Sequence, residues 1–197
     1  TWKEICTLCE EALEYHTASV CIPPSYVARA HAAFPGLNIC TVIGFPLGYN
    51  TLECKVFETQ QAVREGASEV DMVVNLGDVK NGDFDAVEKE IAALKQAAGH
   101  ALLKVIIETC YLTEEEKIRL CECVTAAKAD YIKTSTGFGT AGATLEDIAL
   151  FRAHIGPEVK VKAAGGIRTR EDLEAFCNAG CDRLGCSAAV KVLCKEK

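Results

Sequence analysis

The sequence predicts an α/β barrel of the TIM (β/α)8 class whose first β-strand is missing from the chain. Three observations favour this fold. Short apolar runs typical of buried parallel strands alternate with longer amphipathic stretches typical of helices, from end to end. The pattern gives eight helices but seven strands, and the first helix has no strand before it. Glycine-containing turns follow the last two strands, where such barrels frequently bind phosphate.

The predicted strands are apolar runs bounded by polar or glycine-containing turns, and they cover residues 18–22, 37–43, 69–75, 102–108, 130–134, 159–164 and 181–186. The predicted helices cover residues 2–15, 26–34, 52–65, 84–98, 113–127, 145–155 and 170–179, and a last one follows from Ser187. Thr113 and Glu116 predict a capping box, and Thr144 predicts a similar helix start. Four glycines just past helix ends are predicted as C-terminal caps: Gly66, Gly99, Gly156 and Gly180.

A doubly wound open sheet is the alternative for the same alternation, and the glycine turns decide between the two folds. Gly165 and Gly166 follow the sixth predicted strand, and residues 185–187 follow the seventh and open a short terminal helix. If the missing strand is the first, these strands become the seventh and eighth of a barrel, whose loops commonly form the phosphate site. We therefore expect one barrel domain over residues 1–197, trimmed from a longer polypeptide that supplies the first strand.

The composition excludes several classes of partner. With a formal net charge of -7 and a pI near 5.2, the chain is not expected to bind nucleic acid or an anionic membrane. No apolar run approaches the roughly 18 residues that a membrane span needs. The twelve cysteines include no zinc-type quartet, and we interpret them as reduced, mainly buried thiols of a cytoplasmic protein. No metal or other cofactor is predicted.

Two lysines occupy positions where a buried strand should least tolerate charge. Lys133 and Lys162 each close an apolar run and lead into a turn rich in glycine, threonine or serine. At about 5 Å and an effective dielectric of about 20, two ammonium groups repel by roughly 3 kcal/mol, or about two pKa units. We therefore expect each lysine to lower the pKa of the other, which would produce a neutral amine able to attack a carbonyl.

Asp71 and Lys104 lie at the ends of two further predicted strands. Asp71 could move the proton during such a reaction, or it could simply neutralise Lys104. For Lys104 alone, a functional role and a water-exposed position at the barrel rim are equally good interpretations. Cys21 is interpreted as a packing residue, although a thiol next to a carbonyl substrate would be open to adduct formation.

Seven segments of the chain resemble the deoxyribose-phosphate aldolases, in register and without large gaps. They are 19–23 (SVCIP), 41–48 (TVIGFPLG), 69–75 (EVDMVVN), 104–109 (KVIIET), 133–138 (KTSTGF), 162–168 (KAAGGIR) and 185–187 (GCS). The resemblance implies a TIM barrel and a class I aldolase that needs no cofactor. Such enzymes reversibly cleave 2-deoxy-D-ribose 5-phosphate to D-glyceraldehyde 3-phosphate and acetaldehyde.

The resemblance also implies a role for individual residues. Lys133 is similar to the lysine that forms the Schiff base, Lys162 to the second lysine that perturbs it, and Asp71 to the proton donor and acceptor. Lys104 and Thr136 would contact substrate hydroxyls or a bridging water. The phosphate would be held by Gly137, Gly166, Gly185 and Ser187, mainly through backbone N–H groups. Some family members have a lysine where this chain has Phe138, so phosphate binding here would depend more on the backbone.

Two other functions remain open from the residues. One is a lysine-dependent barrel enzyme that uses a different aldehyde donor, and the other is a barrel that only binds a sugar phosphate. The expected partners are a small sugar phosphate and an aldehyde, with no nucleic acid and no membrane. Apolar helix faces suit a homodimer or homotetramer, but they suit packing within the barrel equally well.

Overall fold

The computed structural model describes residues 1–194, in which short strands alternate with helices. The strands are β1 (Val20–Cys21), β2 (Ile39–Ile43), β3 (Glu69–Val73), β4 (Leu102–Ile106), β5 (Tyr131–Lys133), β6 (Lys160–Ala164) and β7 (Arg183–Gly185). The helices are α1 (Trp2–Glu14), α2 (Val27–Ala33), α3 (Leu52–Arg64), α4 (Leu76–Lys80), α5 (Phe84–Ala98), α6 (Glu114–Ala126), α7 (Leu145–His154), α8 (Arg170–Asn178) and α9 (Ala189–Cys194). None of the helices in this range is long and apolar enough to cross a bilayer.

The seven strands form one parallel sheet in which each strand pairs with the next along the chain, from β1 to β7. The sheet is curled, because side chains from distant strands meet inside it. Arg183 on β7 lies 3.2 Å both from Glu69 on β3 and from Ser19, just before β1. Within the described residues β7 and β1 are not paired with each other. The prediction of a barrel with one strand missing is therefore confirmed.

The two faces of the sheet differ in chemistry, because successive residues of a strand point to opposite sides. Residues such as Val70, Leu103 and Ile132 face outward and pack in one hydrophobic core with helix residues such as Ile91 and Phe151. Their immediate neighbours face the interior of the curled sheet, and several of them are charged. The barrel interior is therefore a buried polar compartment inside an apolar shell.

Most element boundaries agree with the predictions to within about two residues. The capping box of Thr113 and Glu116 is present at the start of α6, and Thr144 accepts a hydrogen bond from the Asp147 N–H at the start of α7. Two further capping boxes, formed by Thr1 with Glu4 at α1 and by Thr169 with Asp172 at α8, were not predicted.

Four local details differ from the predictions. The strand predicted over 69–75 ends at Val73, because Asn75 caps the short helix α4, which the sequence analysis missed. The strand predicted over 102–108 ends at Ile106, and Glu108 adopts a left-handed conformation with φ of 54°. The helix predicted from residue 26 begins with a 3-10 turn, Pro24–Tyr26. Gly156 does not have the positive φ of the C-terminal cap that was predicted, because Ile155, just after α7, is already extended.

Candidate active site

Three lysines converge on the carboxylate of Asp71 in the barrel interior. The Nζ atoms of Lys133 and Lys162 each lie 2.7 Å from Oδ2 of Asp71. The Nζ atom of Lys104 lies 2.9 Å from Oδ1. Strand register produces this arrangement, because Asp71 is paired with Lys104 across β3 and β4, and Lys133 with Lys162 across β5 and β6. One carboxylate therefore faces three ammonium groups.

A second carboxylate, Glu69, extends the group towards the beginning of the strands. Its Oε2 atom lies 2.7 Å from the Nζ of Lys104 and 3.2 Å from Arg183. Lys104 is fully buried, so its interpretation as a water-exposed rim charge was wrong. We call this set the interior charge cluster, and it consists of Glu69, Asp71, Lys104, Lys133, Lys162 and Arg183. It contains four cationic side chains and two carboxylates.

The electrostatics of the cluster differ from the prediction in one respect. Burial acts to raise the pKa of Asp71, but the charges of Lys133, Lys162 and Lys104 hold that pKa well below its usual range. Burial lowers the pKa of Lys162, yet the Asp71 carboxylate outweighs it and the pKa of Lys162 is raised. The expectation that its neighbour would lower the pKa of Lys162 was therefore wrong. The cause is the shared carboxylate that lies between the two amines.

Lys104 is held as a cation in the same way. Burial lowers its pKa, but Asp71 and Glu69 raise the pKa of Lys104 above its ordinary value. The three hydrogen-bond donors of its ammonium face Asp71, Glu69 and the Sγ atom of Cys40, the last at 3.5 Å. Lys104 thus has two strong contacts and one weak one.

The close approach of Lys133 and Lys162 depends on Asp71. Since each Nζ atom lies 2.7 Å from the same oxygen, the two nitrogens are at most 5.4 Å apart. If the carboxylate turns towards a substrate, two bare ammonium groups at that distance would repel by roughly 3 kcal/mol. The Asp71 carboxylate therefore stands between two like charges that would otherwise repel each other.

The loop after β5 is fixed by Glu108, which the sequence analysis did not single out as a site residue. Its buried carboxylate accepts hydrogen bonds from the backbone N–H of Thr136, at 3.1 Å, and from the Thr136 hydroxyl. The same hydroxyl accepts a hydrogen bond from the N–H of Phe138 at 3.0 Å. Glu108 lies two residues beyond the end of β4, and no local pattern in the sequence predicts its contact with Thr136.

The predicted phosphate residues lie on neighbouring loops at the carboxyl ends of β5, β6 and β7. A Cβ atom on Gly165 would lie 3.1 Å from the Cα of Gly142 and 3.7 Å from that of Gly137, so the loops after β5 and β6 are in contact. Gly137 and Gly166 are exposed and have positive φ angles of 90° and 79°. Both glycines therefore lie at the surface of these loops.

The other two predicted phosphate residues follow from the pairing of β6 with β7. Gly185 is paired with Ala164, and a Cβ at this position would lie 3.0 Å from the Ala164 Cβ and 3.5 Å from Cε of Lys162. A side chain at Gly185 would therefore press on Ala164 and come into van der Waals contact with Lys162. Ser187 is exposed in the short connection between β7 and α9.

Cys21 and Cys40 adjoin the interior charge cluster, and with Asp71 they form a set of potential metal ligands whose donor atoms all lie within 4.8 Å of one another. Cys40 is buried, but Cys21 is exposed, so its interpretation as a packing residue was wrong. Both oxygens of Asp71 already accept hydrogen bonds from lysines. A divalent cation here would face three ammonium groups.

Asp71, Lys104 and Lys162 are the middle residues of β3, β4 and β6, and Lys133 is the last residue of β5. A barrel interior in which one carboxylate contacts several amines is the kind of site that an enzyme with an amine nucleophile requires. Comparison with known proteins gives the class: the chain belongs to the DeoC/LacD family of aldolases, whose sequence model matches residues 2–181.

Individual relatives are similar over nearly the whole chain. A deoxyribose-phosphate aldolase of Clostridium botulinum (strain Eklund 17B / Type B) is 62% identical over 198 residues, which cover 100% of this chain and 90% of the relative. A solved structure described as QR15, an aldolase, has a TM-score of 0.93 at 40% identity. The match covers 98% of this chain and 87% of the QR15 chain. The tetrameric deoxyribose phosphate aldolase of Aeropyrum pernix has a TM-score of 0.89 at 33% identity, with coverages of 98% and 83%.

Proposed function

We propose that the protein is a class I deoxyribose-phosphate aldolase, a carbon–carbon lyase that reversibly cleaves 2-deoxy-D-ribose 5-phosphate to D-glyceraldehyde 3-phosphate and acetaldehyde. The names of its similar relatives support the substrate. The observation that carries the proposal is the contact of Lys133 and Lys162 with one oxygen of Asp71. It supplies an amine, a second cation and a proton carrier within one buried group.

Lys133 is assigned the role of nucleophile. Asp71 raises the pKa of Lys162, and Asp71 with Glu69 raises that of Lys104, so these two amines keep their protons. The choice of Lys133 rests on the resemblance of residues 133–138 to the segment of the deoxyribose-phosphate aldolases that carries the Schiff-base lysine. Lys162 then acts as the fixed positive charge that disfavours reprotonation of Lys133.

In the cleavage direction, the neutral amine of Lys133 attacks the C1 aldehyde of the open-chain sugar, and loss of water leaves an iminium. A base removes the proton of the C3 hydroxyl, the C2–C3 bond breaks, and its electron pair passes into the iminium to form an enamine. D-glyceraldehyde 3-phosphate leaves, the enamine is protonated at C2, and water releases acetaldehyde. Asp71, whose carboxylate is ionised at neutral pH, is assigned to take and return these protons, directly or through a water.

Lys104 and Thr136 are assigned to the hydroxyl groups of the substrate. The weakest of the three contacts of Lys104 is the one with the sulfur of Cys40, and a substrate hydroxyl or water can replace it. The Thr136 hydroxyl already donates its proton to Glu108, so it would accept a hydrogen bond from the sugar.

The phosphate is assigned to the loops that carry Gly137, Gly166, Gly185 and Ser187. Gly137 and Gly166 are exposed and have positive φ angles, a backbone conformation that occurs in anion-binding loops. Phe138 contributes no charge to this site, and its ring, 75% exposed, makes an edge contact with Phe45 at a centroid distance of 5.4 Å. Phosphate affinity would therefore come mainly from backbone dipoles.

The protein is also proposed to act in the cytoplasm. The barrel works as a single catalytic domain, as a homodimer or homotetramer, with the tetrameric relative as support for the assembly. All twelve cysteines are free thiols, which suits a reducing cytoplasm.

The test is turnover of purified protein on 2-deoxy-D-ribose 5-phosphate, with release of glyceraldehyde 3-phosphate measured by a coupled reductase. In the reverse direction, acetaldehyde and dihydroxyacetone phosphate are compared as donors. We expect cleavage of the sugar and use of acetaldehyde. Preference for dihydroxyacetone phosphate would overturn the substrate assignment, and calorimetric binding without turnover would favour a binding protein. Lys133→Arg should lose this turnover. Lys89→Arg, at an exposed lysine, is its control and should keep it.

A further inference from the structure

Two thiols lie directly opposite each other beside the interior charge cluster, and the proposed reaction does not use them. Cys21 on β1 is the register partner of Cys40 on β2. The two Sγ atoms lie within 4.8 Å of each other. Neighbouring strands are about 4.8 Å apart, which falls within the Cα separations that disulfides accept. Rotation of the two side chains can bring the sulfurs into bonding distance without movement of the strands.

The two thiols differ in access and in acidity. Cys21 is exposed to solvent, whereas Cys40 is buried and donates a hydrogen bond to Oδ1 of Asp71 at 3.2 Å. Contact with the Cys40 thiol lowers the pKa of the Cys21 thiol to about 7, and the charges of Lys162 and Lys133 act in the same direction. The same contact and burial raise the pKa of the Cys40 thiol. Cys21 is thus the thiolate of the pair that reacts first, and Cys40 is the thiol that reacts with it in a second step.

A bound metal ion is the competing use of the same atoms, and the surroundings disfavour it. A divalent cation between Cys21, Cys40 and Asp71 would lie within a few ångströms of the ammonium groups of Lys104, Lys133 and Lys162. At 5 Å and an effective dielectric of about 20, each ammonium would repel a dication by roughly 7 kcal/mol. A disulfide carries no charge and avoids this repulsion.

We propose that Cys21 and Cys40 are a site of reversible oxidative modification, in which a hydroperoxide converts them to an intramolecular disulfide. The Cys21 thiolate attacks the O–O bond of hydrogen peroxide and, with one proton taken up, gives a sulfenic acid and water. The Cys40 thiol then attacks that sulfur, forming the S–S bond and releasing a second water. Two thiols lose two electrons and two protons in total, and one peroxide is reduced to two waters. A dithiol reverses the change.

The disulfide would alter the candidate active site. It removes the S–H group that donates to Asp71 and draws the sulfur away from Lys104. Both are contacts of the interior charge cluster, so the position of the Asp71 carboxylate should shift. The expected loss of aldolase activity rests on the proposed function, but formation of the disulfide does not.

Peptide mapping tests the disulfide directly. Cleavage by trypsin together with a glutamate-specific protease, after free thiols are blocked, releases residues 15–29 and 30–53, each with a single cysteine, Cys21 or Cys40. After treatment with hydrogen peroxide we expect these two peptides joined, with the mass of two hydrogens lost, and separated again by dithiothreitol. Aldolase activity should fall roughly tenfold or more and return with reduction.

Three variants sharpen the test. Cys40→Ala should give no joined peptide, and its Cys21 should be trapped as a sulfenic acid by dimedone. Cys21→Ser should give neither product. Cys54→Ser removes an exposed thiol elsewhere and should leave the joined peptide unchanged. Recovery of peptides 15–29 and 30–53 unlinked from peroxide-treated wild-type protein would overturn the inference. A joined peptide without any loss of turnover would confirm the disulfide but contradict its proposed effect on the reaction.

Discussion

The ammonium group of Lys162 lies 2.7 Å from the Asp71 carboxylate although the two residues are 91 positions apart in the chain. Both are almost completely buried, so neither charge is compensated by bulk water. The folded chain tolerates them only because the curled sheet brings them together. Asp71 is thus the residue on which the stability of the interior and the proposed chemistry both depend.

Replacing Asp71 with asparagine should therefore damage both properties. The Asp71→Asn protein keeps the shape of the side chain but leaves three buried lysines with one carboxylate fewer. We expect a loss of about 3–5 kcal/mol in the free energy of unfolding, measured by urea denaturation. Turnover should fall by at least about a hundredfold, the usual contribution of a positioned proton carrier. Asp85→Asn, at an exposed position, should change neither quantity substantially.

The lowered pKa of Asp71 also gives a pH dependence of stability with a definite sign. In the unfolded chain an aspartate titrates near 3.9, whereas the lysines hold the folded pKa well below that value. The stabilisation is therefore complete above about pH 4 and is lost as the pH falls through the lower, folded pKa. Urea midpoints of wild type should drop in that acid range. A wild type and an Asp71→Asn protein with the same acid slope would contradict this origin.

Gly185→Ala should disturb the reaction more than the fold. The added methyl group would lie 3.0 Å from the Ala164 Cβ and 3.5 Å from the Cε of Lys162. The methyl group would press on Ala164 and fill the space beside the Lys162 Cε that this side chain needs to move during the reaction, so we expect turnover to fall roughly tenfold or more. The unfolding free energy should decrease by about 1–3 kcal/mol, as for other overpacked sites. Gly82→Ala is the control outside the site. No atom lies within 4 Å of the Cβ added there, so turnover should stay at the wild-type level. Wild-type turnover in Gly185→Ala would mean that the position of Lys162 does not matter.

Phe138→Lys tests the assignment of the phosphate loop. Phe138 is 75% exposed, so a lysine fits there at little cost to folding. A new ammonium next to the phosphate should lower KM for 2-deoxy-D-ribose 5-phosphate by about threefold to tenfold at low salt. The gain should shrink as salt is added, and it should be absent for unphosphorylated deoxyribose. Phe138→Leu controls for loss of the contact with Phe45. An equal effect on both sugars would place the phosphate elsewhere.

The sequence was sufficient to predict the fold, for a physical reason. Parallel strands covered by helices need continuous apolar runs, and helices need apolar residues at every third or fourth position, so both leave strong local patterns. Lys133 and Lys162 stood out because each interrupts such a run. The structure brings them together, and with them Asp71 and Lys104.

What the sequence could not supply depends on contacts between distant residues. The pKa of Lys162 was predicted in the wrong direction, because the position of the Asp71 oxygen between two amines follows from the pairing of four strands, β3 to β6. No local sequence pattern predicts the left-handed conformation of Glu108 or its hydrogen bond with the backbone N–H of Thr136. The pairing of Cys21 with Cys40 requires the register of β1 and β2.

The most direct measurement is borohydride trapping of the enzyme with acetaldehyde. Reduction of the iminium leaves an N-ethyl lysine, which trypsin does not cleave, so modification of Lys133 joins residues 129–133 to the segment that ends at Arg152. We expect this ethylated peptide, residues 129–152, in wild type and its absence when acetaldehyde is omitted. Ethylation of Lys104 or Lys162 in its place, or full cleavage activity in Lys133→Arg, would contradict the assignment of Lys133 as the nucleophile.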